Sequence, residues 1–264
     1  MTGHILIAHD LRDTADLALR RAAQLARQHD AKLTLLHVFD PRLDQAERER
    51  IEQHLDRSLT QFAPQGSQLR LTQGKPADAV LEQVQQCAAD LLVLGAHHQR
   101  HEFFSGTTLD RIARRCPVPL LLVARDEALP YRSAVAAIDF SLCACTALHE
   151  ACLLLPAEAN IHALHVFEPP KNSALAEAEL LTQRALIDQL LHDEAQRLPA
   201  NAPSLSHEVK VGGILRSLQE YIGSRQPQLL VLGSHGRSAI SQALLGSLAQ
   251  HYLHKAPCDV FVVR

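Results

Sequence analysis

The first half of the chain alternates short apolar runs with longer stretches whose apolar residues recur at helical spacing. The runs predict five strands, at His4–His9, Lys32–Phe39, Gln68–Thr72, Leu91–Gly95 and Pro119–Ala124. The stretches between them predict four helices, at Thr14–His29, Gln45–Phe62, Pro76–Ala88 and Thr107–Arg115. Continuous apolar strands are typical of a parallel sheet covered on both faces, so the pattern predicts an α/β fold.

The second half of the chain repeats the pattern of the first. Leu91–Gly95 recurs as Leu229–Gly233, and Leu36–Phe39 recurs as Leu164–Phe167. In both halves the glycine that ends the first of these runs follows another glycine 21 positions earlier. Because matched blocks occur in the same order at the same spacing, we predict two copies of one domain. The predicted domains are residues 1–127 and 131–264.

Composition narrows the classes of function. The chain has 26 Lys and Arg residues against 29 Asp and Glu, a formal net charge of −3, which argues against a nucleic-acid binder. Its 264 residues contain no apolar run near the ~20 residues of a membrane span, and its N-terminus lacks the pattern of a signal peptide. We therefore expect no membrane partner, a cytoplasmic location and six reduced cysteines.

The most informative stretch is Gly233–Arg237, followed by Gly246 and Ser247. Glycines let the backbone approach phosphate oxygens closely, and successive N–H groups in such a loop form an anion-binding nest. We expect Ser247 to cap a helix that runs through Leu253 and whose N-terminus attracts anions. The alternative is a tight strand-to-helix connection that needs glycine for packing alone.

With this motif the chain resembles the universal stress protein family in its tandem form, over nearly its whole length. The family motif G-x2-G-x9-G-[S/T] is matched in full by Gly233, Gly236, Gly246 and Ser247. The resemblance implies, in each copy, an open, Rossmann-like parallel sheet of order 3-2-1-4-5 with helices on both faces. It also implies that the last strands of the two copies pair about a pseudo-twofold axis, and leaves open whether two tandem chains pair further.

The resemblance further implies a site for ATP or ADP in the second copy, and leaves open whether Mg²⁺ accompanies the phosphates. Asp139 would lie against the adenosine, the Val166 backbone would bond the adenine, and Gly233 would lie near the ribose. The phosphates would meet Gly236, Arg237, Gly246, Ser247 and Leu248. The complete set of expected binding residues is Ala137, Asp139, Val166, Gly233, His235, Gly236, Arg237, Gly246, Ser247 and Leu248.

The first copy departs from the motif. His98 stands where the second glycine should be, and the loop between Gly95 and Gly106 is two residues shorter than its counterpart. An imidazole would narrow a phosphate nest, so we expect a degenerate site or one for a different ligand. The residues that it retains are Asp10, Val38, Gly95, Gly106 and Thr107.

Catalysis and metal binding find little support in the sequence. No nucleophile motif with its base is present, so we assign no catalytic residue. His97, His98 and His101 lie near Glu102, but adjacent imidazoles point apart, and we interpret the cluster as a surface loop rather than a metal site. Three hypotheses remain: a regulator that binds nucleotide, a scaffold independent of nucleotide with an unknown protein partner, or a slow ATPase using His235 or Arg237.

Overall fold

A computed structural model of the chain describes residues 2–96, 107–169, 173–236 and 245–264, without the side chains of 173–176. Contacts divide the chain into two compact units. The first consists of Met1–Pro130 with Ala243–Val262, and the second of Tyr131–Gln242 with Val263–Arg264. The last helix and nearly all of the last strand thus belong to the first unit, while the assignment of residues 131–264 to one domain stays a prediction.

Strands and helices alternate through the first copy as the hydrophobic pattern predicts. Three elements (β2, α2 and β4) have the predicted bounds, and the others differ by one or two residues at an end. In chain order they are β1 (His4–Ala8), α1 (Asp13–His29), β2 (Lys32–Phe39), α2 (Gln45–Phe62), β3 (Gln68–Gln73), α3 (Pro76–Gln86), β4 (Leu91–Gly95), α4 (Thr108–Arg115) and β5 (Leu120–Val123).

The second copy repeats this alternation. Its elements are β6 (Ser133–Ile138), α5 (Leu142–Leu154), β7 (Asn160–Phe167), α6 (Ser173–Arg197), β8 (Ser204–Val211), α7 (Ile214–Arg225), β9 (Leu229–Gly233), α8 (Ser247–His254) and β10 (Asp259–Val263). The turn after the first strand contains a residue in the left-handed region in both copies: Leu11 has a φ angle of 68° and Phe140 one of 61°. We use this correspondence to match residues between the copies.

The sheets confirm the predicted topology. In the first unit the parallel strands follow the order β3-β2-β1-β4-β5, which is 3-2-1-4-5. Strand β10 pairs antiparallel with β5, with Phe261 opposite Leu121, so the last strands of the two copies meet as expected. In the second unit the order is β8-β7-β6-β9, again parallel. Central strands such as β1 are buried on both faces.

A buried ion pair and its hydrogen bonds connect the last strand, β10, to the segment that joins the two copies. Arg21 of α1 and Asp259 of β10 are 1% and 0% exposed, and the Arg21 Nε lies 3.4 Å from Asp259 Oδ2. The other carboxylate oxygen accepts hydrogen bonds from the backbone N–H groups of Ala124 and Arg125, both at 2.9 Å. The Arg21 guanidinium also donates to two carbonyl oxygens of the junction, those of Glu127 and Leu129.

Candidate functional site

In the second unit, Asp139 directly follows the last residue of β6, Ile138, and the expected binding residue Ala137 is buried within the strand. Its Oδ1 accepts a hydrogen bond from the Ser141 N–H at 3.0 Å. Ser141 is the N-cap of α5, and its hydroxyl accepts from the Ala144 N–H at 3.2 Å. The carboxylate is therefore held at the end of a central strand, where ligands of open α/β sheets bind.

Gly233 ends β9 at a point of close backbone packing. A β-carbon at this position would lie 2.7 Å from the Ala144 nitrogen and 2.8 Å from the Cys143 carbonyl carbon, distances that a folded chain does not tolerate. The same holds for Gly95 at the end of β4, where a β-carbon would lie 2.5 Å from the Thr14 oxygen. Both glycines thus have a packing role that needs no ligand, as the alternative interpretation of the motif expects.

Gly236 differs from Gly233 because its neighbour is a candidate binding group. A β-carbon on Gly236 would lie 2.8 Å from Asp139 Oδ2, with no backbone atom in contact. Two of the expected binding residues, far apart in sequence, are therefore adjacent in the structure. A side chain at Gly236 would collide with this carboxylate.

His235 is held within a small polar cluster that the sequence did not indicate. Its Nδ1 lies 2.6 Å from Ser234 Oγ and 4.0 Å from Cys143 Sγ, and its carbonyl accepts from the Ser141 hydroxyl at 3.3 Å. Within the part of the chain that the structure describes, the His235 Nε2 is buried without a hydrogen-bond partner. Ser141 could have been found from its position as an N-cap, whereas Ser234 and Cys143 join the cluster only through tertiary packing.

Val166 lies near the end of β7, where it is half-buried and in register with Lys210 of β8. The residue before it, His165, donates from Nδ1 to the Ile138 carbonyl at 2.7 Å and packs against the Phe140 ring at 4.6 Å. His37 of the first copy makes the same bond to the His9 carbonyl, also at 2.7 Å. These two histidines order the strand ends in both copies.

Gly246, Ser247 and Leu248 belong to the first unit, at the start of α8. The expectation that Ser247 caps this helix is wrong. Gly246, with φ −61° and ψ 147°, is the N-cap, and Ser247 is the first helical residue. Glycine has no side chain to bond the first-turn N–H groups, and that turn contains no acidic residue. Arg237 lies outside the described residues.

The first copy has a different arrangement at the matching helix. Thr107 is the N-cap of α4 and its hydroxyl accepts from the Asp110 N–H at 3.1 Å, while Asp110 Oδ2 accepts from the Thr107 N–H at 3.2 Å. Asp110, which is 1% exposed, also accepts from His254 Nε2 of α8 at 2.9 Å. A carboxylate of the protein itself thus occupies the N-terminus of α4. Gly106, His97, His98, His101 and Glu102 lie outside the described residues.

Beside this capped helix the first unit contains a cavity of about 370 Å³ at the carboxyl ends of β1, β2 and β4. Four of the five residues expected for the first copy line it: Asp10, Val38, Gly95 and Thr107. Burial lowers the pKa of His37 in its wall, and burial lowers the pKa of His9 despite the opposing effect of Asp16, whose Oδ1 lies 3.1 Å from His9 Nε2. Both imidazoles are therefore neutral near pH 7.

The described residues also bear on metal binding and on membrane insertion. Among those residues, no group of three or more His, Cys, Asp or Glu side chains could hold a metal ion. No helix within the described ranges is long and apolar enough to cross a membrane.

Comparison with known proteins gives one consistent family. The model of the universal stress protein family matches residues 1–124 and again residues 130–264. A protein of Thermus aquaticus, named "universal stress protein in QAH/OAS sulfhydrylase 3′ region", is 31% identical over 133 residues, 45% of this chain and 96% of that protein. Universal stress protein A homolog 2 of Coxiella burnetii is 39% identical over 82 residues, 29% of this chain and 56% of that protein.

A solved structure extends the likeness to both copies. The crystal structure of a universal stress protein from Archaeoglobus fulgidus superimposes with a TM-score of 0.72, covering 100% of this chain and 99% of that one. At 14% sequence identity, this similarity establishes the tandem fold.

Proposed function

The chain belongs to the universal stress protein family, and from that premise we propose that it is a stress-response regulator whose second copy binds ATP or ADP. The observation that carries the proposal is the complete motif of Gly233, Gly236, Gly246 and Ser247. We further propose that nucleotide occupancy sets the packing of residues 234–245 and so the interactions of the protein with its partners.

Three structural features support nucleotide binding by the second copy. Gly236 has no side chain that would collide with the Asp139 carboxylate. The N-terminus of α8 offers backbone N–H groups that no acidic residue in its first turn neutralises, and such groups attract phosphate. Asp139 lies at the carboxyl end of β6, where a ribose hydroxyl could donate to its carboxylate.

We assign the roles within this site as the family motif implies. Asp139 contacts the adenosine, the Val166 backbone bonds the adenine, and Gly233 lies by the ribose. Gly236, Arg237, Gly246, Ser247 and Leu248 line the phosphates, with or without Mg²⁺. Ala137 and His235 complete the set of binding residues. The first-copy residues Asp10, Val38, Gly95, Gly106 and Thr107 belong to a site that does not hold ATP.

Binding rather than turnover is the proposed activity. Hydrolysis needs a positioned water and stabilisation of charge on the leaving phosphate. In the described part of the chain, the His235 Nδ1 is already engaged by Ser234. A regulator that responds to occupancy needs no further chemistry.

Calorimetric titration of ATP and ADP into the full chain tests this proposal. We expect saturable binding by the wild type and its loss in Gly236→Val, because the new side chain would displace Asp139 and fill the adjacent space. Gly223→Ala is the matched control, since a β-carbon there has no neighbour within 4 Å. A wild type that binds neither nucleotide would instead favour the nucleotide-independent scaffold. In that case the packing role of Gly233 would be enough to explain the presence of a glycine there.

A further inference from the structure

The outer edge of β8 is an unpaired strand edge of the second unit. Strand β8 is the last in the order β9-β6-β7-β8, and among the described residues no strand pairs with its other side. It pairs with β7 over eight consecutive positions without a bulge, from Ser204 to Val211. A long, regular edge is a template on which a further strand can pair, and proteins usually shorten, kink or cover such edges. The edge of β8 is therefore a candidate interaction surface.

The hydrogen bonds between β7 and β8 show which backbone groups of β8 point outward. The N–H groups of Ser204 and of Gly212, which follows the strand, donate to the carbonyls of Ala159 and Phe167, both at 3.0 Å. In a parallel ladder alternate residues bond the same neighbour, so the even-numbered residues of β8 bond β7. The N–H and C=O groups of the odd-numbered residues from 205 to 211 therefore face away from β7.

The charges around Val209, near the middle of this edge, are complementary to themselves. Glu208 and Lys210 flank Val209 and have opposite signs. The Glu208 side chain is 47% exposed, with Oε2 3.8 Å from His162 Nε2, and Lys210 Nζ lies 5.8 Å from the centre of the Tyr221 ring. Neither contact takes up the whole charged group.

A second copy of β8, paired antiparallel about a twofold axis through Val209, fits both the backbone and the charges. The outward N–H and C=O groups of the two Val209 residues then bond each other, and those of His207 bond Val211 of the other chain. Glu208 of each chain lies opposite Lys210 of the other. Opposite residues that exchange no backbone hydrogen bond have Cα atoms ~4.5 Å apart, close enough for their side chains to pair.

Exposed apolar side chains are also concentrated on the elements at this edge. Helix α6 packs against β8, where His207 Nε2 lies 2.9 Å from Asp188 Oδ1, and α7 follows β8 directly in the chain. These three elements contain most of the large apolar side chains that are exposed in the described part of the second unit. They are Leu181, Leu186, Val211 and Leu215, and the remaining one is Leu142 of α5. Exposed apolar surface beside an open strand edge is typical of a protein interface.

The outer strand of the first unit, β3, lacks the charge pattern. Leu71 of β3 matches Val209, because each is in register with the corresponding histidine of the neighbouring strand. The residues that flank Leu71 are Arg70 and Thr72, so the same twofold pairing would bring together no opposite charges. Arg70 is also bonded within its own unit, since its Nη1 lies 2.8 Å from Gln83 Oε1. The self-complementary edge is therefore specific to the second copy.

We propose that the chain forms a homodimer through the outer edge of β8, with Val209 on the twofold axis and two Glu208–Lys210 ion pairs between the chains. The partner is a second copy of this chain, because the strand is complementary to itself in this register. The dimer does not depend on nucleotide binding by either copy.

Sedimentation velocity of the full chain without nucleotide tests the dimer itself. We expect a species of twice the chain mass that dissociates as the protein is diluted through the micromolar range, and that weakens at high salt because the ion pairs are partly exposed. A chain that stays monomeric up to millimolar concentration would overturn the proposal. Glu208 and Lys210 would then be charges that keep the edge free of partners. ATP binding by a monomeric wild type would leave the function proposed for the second copy standing.

Charge reversal and charge exchange test the register. We expect Lys210→Glu to raise the dimer dissociation constant at least about tenfold, because Glu208 then faces a like charge in each pair. The double variant Glu208→Lys with Lys210→Glu restores opposite charges and should return this constant to within about threefold of the wild type. Thr72→Glu, at the matching position of β3, should have no effect. A dimer that survives Lys210→Glu, or a double variant that remains monomeric while its circular dichroism is that of the wild type, would contradict the register.

Disulfide cross-linking locates the twofold axis. In Val209→Cys the two new cysteines lie opposite each other with Cα atoms ~5.5 Å apart, within the range that a disulfide spans. In Leu205→Cys they lie ~27 Å apart, since eight positions separate them along the strand. We expect diamide to give a covalent dimer of Val209→Cys and none of Leu205→Cys beyond the background of the native cysteines. Equal cross-linking of both variants, or of neither, would overturn the proposed interface.

Discussion

The two copies differ in how the N-terminus of the helix after the glycine motif is capped, which is α4 in the first copy and α8 in the second. Both helices contain eight residues; α8 directly follows Gly246, whereas Thr107 separates α4 from Gly106 in the sequence. In α4 the first turn contains Asp110, bonded to Thr107 and His254, whereas the matching residue of α8 is Gln250 and the N-cap is Gly246. A carboxylate of the protein therefore caps α4, whereas the first turn of α8 contains no acidic residue.

What the copies share is equally instructive. Gly95 and Gly233 both allow a helix backbone to lie against the end of a strand, and His37 and His165 both bond the carbonyl that ends the preceding strand. These features build the fold in each half, independently of any ligand. The copies therefore have a common frame, and their proposed difference in binding comes from a few residues at one helix end.

The largest stability difference between matching positions should come from Arg21 and its counterpart Glu150. Arg21→Met leaves the buried Asp259 without its cation, and breaking a buried pair from one side costs about 3–5 kcal/mol. Glu150→Met, at a half-buried position of α5, should cost less than about 1 kcal/mol. Urea unfolding of both variants measures the difference, and equal losses would show that the junction does not depend on this pair.

Substitution of the two packing glycines should affect the copies alike. We expect Gly95→Ala and Gly233→Ala each to lower the free energy of unfolding by about 2–3 kcal/mol, because the new methyl group meets helix backbone that cannot move aside. Gly223→Ala should instead be neutral or stabilising by up to ~1 kcal/mol. Tolerance of Ala at Gly233 but not at Gly95 would contradict the common frame.

Removal of the hydroxyl at the two helix starts should separate stability from binding. Thr107→Ala loses the α4 cap and should cost about 1 kcal/mol of stability. Ser247→Ala, where the structure has no cap to lose, should leave stability within ~0.5 kcal/mol and weaken ATP binding severalfold. Thermal unfolding and calorimetry measure the two effects, and a stability loss at Ser247 as large as that at Thr107 would contradict the assigned N-cap.

The last predicted effect concerns pH. Burial lowers the pKa of His9 and His37 in the folded chain. The unfolded chain therefore binds more protons than the folded chain once the pH falls below the pKa of an unfolded histidine, ~6.5. Stability should therefore decrease as the pH falls from 7 to 5, by less than about 1.4 kcal/mol per pH unit for each histidine. His37→Gln should reduce this slope and the same change at the exposed His54 should not; an unchanged slope in both would refute the assignment.

Sequence periodicity predicted those features that depend on local pattern. Strands such as β2 and β4 were found because a buried strand is a continuous apolar run, and α2 because its apolar residues lie on one face. The resemblance to the universal stress protein family then implied the strand order and the pairing of β5 with β10. Fold class and tandem organisation could thus be predicted before any coordinates.

Contacts across long stretches of chain could not be predicted in this way. Arg21 meets Asp259, and His254 meets Asp110 at a separation of 144 residues, because the last strand and helix pack into the first unit. The capping box itself was readable, since Thr107 precedes Asp110 by three residues, but its meaning for anion binding emerged only with the structure. The wrong expectation for Ser247 arose because helix starts are the least certain part of a sequence-based prediction.

The number of ATP molecules bound per chain tests the inequality of the two copies most directly. Native mass spectrometry of the full chain at saturating ATP measures this number. The account predicts one ATP per chain, absent in Gly236→Val and retained in Gly223→Ala. Two ATP molecules per chain would show that the Asp110 carboxylate does not prevent phosphate binding in the first copy. No bound ATP would contradict the nucleotide site proposed for the second copy.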